Sequence, residues 1–226
     1  VKEGRMTNFS RLSFFAGTVT TLLSLLFVSL ALFLPWYQTT YTEEVSVDEY
    51  AFFVVINKGN ESDWTTYSAL CDTDQPIAPS NQTCETTSRF VLMAETWTLS
   101  FLNACLLGFE ILYLWCISRS LLNSEKVPLL MTWTIPAIIA LISLLLQTGS
   151  VVWFLRHPTA VSKDMPDVAD SFPGASGFYG SDGDASWNPG SAWDLAVTGA
   201  VLCFINLLVM VWLLQRTRRN FLANQL

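Results

Sequence analysis

VPLLMTWTIPAIIALISLLLQTGSVVWFL, residues Val127 to Leu155, contains no Asp, Glu, Lys or Arg. About 20 such residues suffice for an α-helix to cross about 30 Å of hydrocarbon. Three further blocks have the same character: Phe14 to Leu34, Trp97 to Ser118 with Glu110 as its one charge before the end, and Leu195 to Leu214. Charged residues make up 14% of the 226-residue chain, against roughly 25% in an ordinary soluble domain, and these four blocks account for the deficit. The pattern excludes a soluble protein.

Working outward from the blocks, the charge sorts by segment. Residues 1–12 carry a net +2, residues 119–126 a net +1 and residues 216–226 a net +3, whereas residues 36–95 carry −8 and residues 156–194 carry −4. Short basic segments stay on the cytoplasmic side of a membrane, so both termini and the middle loop are expected inside and the two long acidic loops outside. The expected division is residues 1–12 inside, a first span at 13–35, an outer loop at 36–95, a second span at 96–118, an inner loop at 119–126, a third span at 127–155, an outer loop at 156–193, a fourth span at 194–215 and an inner tail at 216–226. The first block is too long for the apolar region of a signal peptide and no small-residue cleavage site follows it, which predicts a retained signal-anchor helix.

Tryptophans reinforce these boundaries. Trp36, Trp97, Trp153 and Trp193 fall at the four outer ends and are expected to anchor in the headgroup region, with Trp115, Trp133 and Trp212 near inner ends. Small and polar residues recur within the blocks at steps of three, four and seven: Gly17, Thr21 and Ser24; Ser100, Asn103 and Glu110; Pro136, Ala140, Ser143, Gln147 and Ser150; Ala196, Gly199, Cys203 and Asn206. Such spacing puts each set on one helix face, where small residues allow close helix approach. Glu110 lies nine residues from Arg119, about 13.5 Å along a helix and close to mid-bilayer. Thr21, Thr134 and Asn206 fall at the same depth in the other blocks, which predicts an intramembrane polar layer of Thr21, Glu110, Thr134 and Asn206.

The first outer loop should be structured, because connections of its length rarely lack secondary structure. Tyr37 to Val47 and Tyr50 to Ile56 are rich in β-formers, Asn57-Lys58-Gly59-Asn60 is turn chemistry, and Trp64 to Leu70 has further strand character. The expected fold is therefore a membrane all-α four-helix bundle with a small antiparallel β-sheet in the first outer loop. Cys71 and Cys84 are the only cysteines outside the blocks and are expected to pair, stabilising the loop by roughly 3 kcal/mol. Cys105, Cys116 and Cys203 lie in the blocks and read as small packing residues. Two glycosylation sequons, at Asn60 and Asn81, fall on the side expected to be external. The second outer loop, rich in Asp, Ser, Gly and Pro, reads as a solvated or partner-pinned loop, and its Asp182-Gly183-Asp184 matches only part of a calcium loop.

This arrangement resembles the superfamily of claudins, peripheral myelin protein, epithelial membrane proteins and calcium-channel gamma subunits; its layout is also similar to that of the amastins. The shared features are four spans, a strand-rich first loop, Trp36 after the first helix, then Trp64, Cys71 and Cys84, and an arginine near the second helix in Ser88-Arg89-Phe90. In this chain Asp63 precedes Trp64, and Cys71 follows seven residues after it. The resemblance implies a protein that works by protein contacts in adhesion, barrier formation or channel accessory roles. The alternative is an accessory structural subunit of a large organellar membrane complex. No enzyme is expected, because the inner segments are short and no nucleophile with a base, metal cluster or phosphate loop is recognisable. Nor is any catalytic residue, cofactor or metal site expected. The expected partners are the lipid bilayer and other membrane proteins, in homo- or hetero-oligomers, and not nucleic acid. The expected location is the plasma membrane or secretory pathway rather than an organellar inner membrane.

Overall fold

A computed structural model describes residues 8–42, 45–67, 87–122, 129–164, 177–183 and 185–223. In chain order these form α1 (Asn8–Ala31), β1 (Tyr37–Thr42), β2 (Val45–Glu49), β3 (Val54–Lys58), β4 (Glu61–Thr65), α2 (Thr87–Leu122), α3 (Leu129–Phe154), α4 (His157–Asp164), β5 (Gly180–Asp182), β6 (Ala185–Pro189) and α5 (Ser191–Ala223). Four helices, α1, α2, α3 and α5, are long and apolar enough to cross a membrane. Helix α2 begins at Thr87, well before the span start expected at residue 96, because Ser88 to Glu95 is helical in spite of Arg89 and Glu95.

Burial in these helices is the reverse of that in a soluble protein. Thr21, Ser24, Asn103, Glu110, Ser143, Gln147 and Asn206 are fully buried, while Phe109, Leu112, Leu145 and Leu208 are more than half exposed. Water would penalise that distribution and hydrocarbon rewards it. Small residues sit where helices approach: a Cβ added to Gly17 would lie 3.1 Å from Met210 Cε, and one at Gly199 would lie 3.0 Å from Val28 Cγ2. Only one of the three helix cysteines packs as expected. Cys203 is buried, whereas Cys105 and Cys116 are exposed on the apolar surface.

The chain divides into two compact units. One, the helix unit, comprises Val1–Val28, Leu102–Thr148 and Thr198–Leu226. Its core gathers Phe14, Leu114, Trp133, Ala140, Met210 and Leu213, with the rings of Phe14 and Trp133 4.8 Å apart.

The other, the sheet unit, comprises Ser29–Phe101 and Gly149–Val197. It holds one antiparallel six-stranded sheet in the order β4-β3-β2-β1-β6-β5. The expectation of a sheet confined to the first loop is thus corrected, since β5 and β6 come from the second loop and β6 pairs with β1 through Thr39↔Trp187 and Thr40↔Ser186. The run from Tyr37 to Val47 is likewise two strands, reversing between Thr42 and Val45. Of the strand expected at Trp64 to Leu70, β4 includes only Trp64 and Thr65, and residues 68–70 lie outside the described residues. Two-residue turns close two of the other hairpins, Lys58↔Glu61 around Gly59 and Asp182↔Ala185 around Gly183. Both glycines have positive φ, 58° and 57°, which a side chain would disfavour. Asp182-Gly183 is therefore hairpin chemistry, and the described part of the second loop forms α4 and this hairpin.

Candidate functional site

The sheet unit contains a buried charged cluster of four residues drawn from three elements. Glu49 ends β2, Arg89 lies in the first turn of α2, and His157 and Asp164 are the first and last residues of α4. All four are at most 4% exposed. Arg89 Nε donates to Asp164 Oδ2 at 3.1 Å and Nη1 to Glu49 Oε1 at 3.4 Å, while His157 Nε2 lies 3.2 Å from Glu49 Oε2. The Tyr37 ring covers the imidazole at 3.8 Å between centroids.

Asp164 also has a second role. The first amides of any helix lack intrahelical acceptors, and the Ser88 and Arg89 amides donate to Asp164 Oδ1 and Oδ2 at 2.8 and 3.0 Å. The carboxylate caps α2 from a different helix, where it also meets the positive end of the helix dipole.

Burial works against charge on Glu49, but the His157 imidazole and the Arg89 guanidinium outweigh it and hold the carboxyl below its usual range. Burial pushes the phenols of Tyr37, Tyr41 and Tyr67 up, with the Glu49 charge adding to the shift in each case. Two polar atoms in the cluster, Arg89 Nη2 and His157 Nδ1, are buried without a hydrogen-bond partner. With every member sealed from solvent, the arrangement can orient and lock elements, but it presents no group to a substrate. Among the described residues no three His, Cys, Asp or Glu side chains are grouped to hold a metal ion.

In the helix unit the polar layer centres on Asn206. Its Nδ2 donates to Glu110 Oε2 and Oε1 at 3.1 and 3.3 Å, and its Oδ1 accepts from Thr20 and Thr21 at 2.8 and 3.2 Å. Thr134 is half-buried on α3, and the bonds just described do not run through it. A second layer, not expected as such, joins Asn103 Nδ2 to Gln147 Oε1 at 2.9 Å and to Cys203 Sγ at 3.7 Å. In the sheet unit Ser100 and Ser150 bond at 2.8 Å.

The four outer tryptophans differ in environment. Trp36 is 1% exposed and packs on Phe154 at 5.4 Å, so it is a core residue of the sheet unit and not a headgroup anchor. Trp193 is half-buried against Phe178. Trp97 Nε1 donates to the Leu32 carbonyl just past α1, and Trp153 Nε1 donates to Glu95. Trp187, a loop residue by sequence, is a buried core residue on β6. Asn60 is exposed in the β3–β4 turn. Cys71, Cys84 and Asn81 lie outside the described residues. Compared with known proteins, the chain matches no family model and no curated protein.

Proposed function

We propose that this chain is a non-enzymatic multi-pass membrane protein that acts through protein contacts of its sheet and of its lateral helix faces, in an adhesion, barrier or channel-accessory role. The observation that carries the reading is an exposed aromatic edge on a braced platform. Tyr50 stacks on Phe53 at 4.6 Å and Phe53 on Trp64 at 4.6 Å, and Trp64 remains 71% exposed on the edge strand β4. Exposed aromatics on a rigid support are typical contact residues, and the Glu49–Arg89–Asp164 bridges supply the rigidity. The similarity in layout to claudins and epithelial membrane proteins agrees with such a role, as does the sorting of charge into acidic loops and basic termini.

In this reading both termini are cytoplasmic, the sheet is external and the protein travels the secretory pathway. A photo-crosslinking amino acid at position 64 is expected to give discrete protein adducts in intact membranes, while one at Leu145, exposed on the apolar surface, gives lipid adducts. No protein adduct at position 64 overturns the contact role. Glycan at the exposed Asn60 supports the secretory route, and its absence on a mature protein that cofractionates with a large organellar complex favours the accessory-subunit alternative.

A further inference from the structure

Beside the buried cluster, the sheet unit contains an open cavity of about 340 Å³ where the start of α2 meets the end of α3 and α4. Helix α2 contributes Ser88, Val91, Leu92 and Glu95, the i, i+3, i+4 and i+7 positions of one face. The other wall is Trp153, Arg156, Thr159, Ala160 and Lys163. Its volume is at the low end of the roughly 300–1,000 Å³ typical of small-molecule sites.

Charge in this cavity is not balanced internally. Glu95 is engaged by Trp153 Nε1 at 2.8 Å, and Arg156 stacks over the Trp153 ring at 3.8 Å. Among the described residues neither Arg156 nor Lys163 has a carboxylate within ion-pair distance. Two cations and one carboxylate leave a net positive charge, matched by the single negative charge of a phosphodiester. The position in the helices is equally specific. Ser88 opens the apolar stretch of α2 and Phe154 closes that of α3, so the cavity lies at the level where hydrocarbon gives way to headgroups. Next to it, Val152 and Leu155 are exposed apolar side chains available to acyl chains.

We infer that this cavity binds the phosphodiester headgroup of a membrane phospholipid, with the phosphate held by Arg156 and Lys163 and the acyl chains lying along Val152 and Leu155. The Ser88 and Thr159 hydroxyls offer neutral donors in the same cavity. The inference is independent of any protein partner and needs only the membrane setting.

Delipidated full-length protein in maltoside micelles, titrated with phosphatidylglycerol and read by native mass spectrometry, tests it. Wild type is expected to retain one phospholipid about 30-fold more tightly than Arg156→Gln/Lys163→Gln, as the loss of two interfacial cations implies. Arg156→Lys/Lys163→Arg, which keeps both charges, should bind like wild type. Lys163→Gln alone, expected about fivefold weaker, carries the test if the double variant aggregates. Three results overturn the assignment: equal binding by wild type and the folded charge-deletion variant, equal binding of a diacylglycerol lacking phosphate, or displacement of the lipid by inorganic phosphate at equal concentration, which would make this a free-anion site.

Discussion

Replacing Arg89 with methionine removes the only guanidinium from a buried pair of carboxylates. At 3.4 Å the Coulomb attraction between Arg89 and Glu49 is about 5 kcal/mol at an effective dielectric of about 20, and desolvation of both ions offsets much of it. What remains after the substitution is more costly than the lost attraction suggests, because Glu49 and Asp164 stay buried without the guanidinium that bridges them. Arg89→Met is therefore expected to destabilise the sheet unit by about 3–5 kcal/mol. Glu49→Gln removes one bridge while Arg89 keeps Asp164, and should cost less, about 1–3 kcal/mol. Combined, the two substitutions remove opposite charges together, so the double variant should be about 1–3 kcal/mol more stable than the sum of the single effects predicts. Reversible denaturation in mixed micelles, followed by tryptophan fluorescence, provides the four free energies of the cycle. Single losses below about 1 kcal/mol, or additivity within about 0.5 kcal/mol, would refute the claim that these charges are interdependent.

Three further outcomes are expected. Glu49 has a depressed pKa in the fold, so its contribution to stability is complete above its unfolded value of about 4.3 and is lost as pH falls through the lower folded value. Acid titration should show a transition below about pH 4 that is reduced in Glu49→Gln, and identical profiles would dismiss the linkage. Glu110→Gln keeps an acceptor for Asn206 and should stay within about 0.5 kcal/mol of wild type, whereas Glu110→Leu strands the amide and should cost about 1–2 kcal/mol; equal effects in a denaturant titration would contradict the hydrogen-bond layer. A Cβ on Gly190 would sit 2.2 Å from the Pro35 carbonyl oxygen, where the Gly190 amide also bonds Trp36 at 2.8 Å. Gly190→Ala is expected to abolish maturation or to cost at least about 2 kcal/mol, and a wild-type melting temperature would show that the backbone crossing can relax.

The four long helices were legible because hydrocarbon imposes a signal about 20 residues long that no soluble fold needs. The buried polar faces were legible too, since steps of three and four mark one side of a helix whatever it packs against. Asn206 and Glu110 could be paired by depth alone. The charged cluster could not. Arg89 and Asp164 are separated by 75 positions and Glu49 and His157 by 108, and no periodicity links residues so distant. His157 is the single histidine of the sequence, and Asp164 is one of six acids in residues 156–194. Helix α2 was expected to start late because Arg89 and Glu95 look like loop charges until their partners are known. Trp36 follows an apolar block and so resembles an interface anchor, while it is buried in a cluster with Phe154 and Trp187, both distant in sequence. A usable clue does exist in Asp182-Gly183, which is a hairpin signal as well as a fragment of an ion-site motif.

The pairing of β1 with β6 sets a schedule for biogenesis. Thr40 and Ser186 are cross-strand partners separated by about 145 residues of chain, which at about 5–20 residues per second corresponds to about 7–30 s of synthesis. Throughout that interval the first loop can form β1 to β4, but the outer edge of β1 remains an unfilled template for any passing strand. The second hairpin is the part that retires this edge. A ribosome stalled after α3 would therefore hold a nascent half-sheet whose β1 edge is still open.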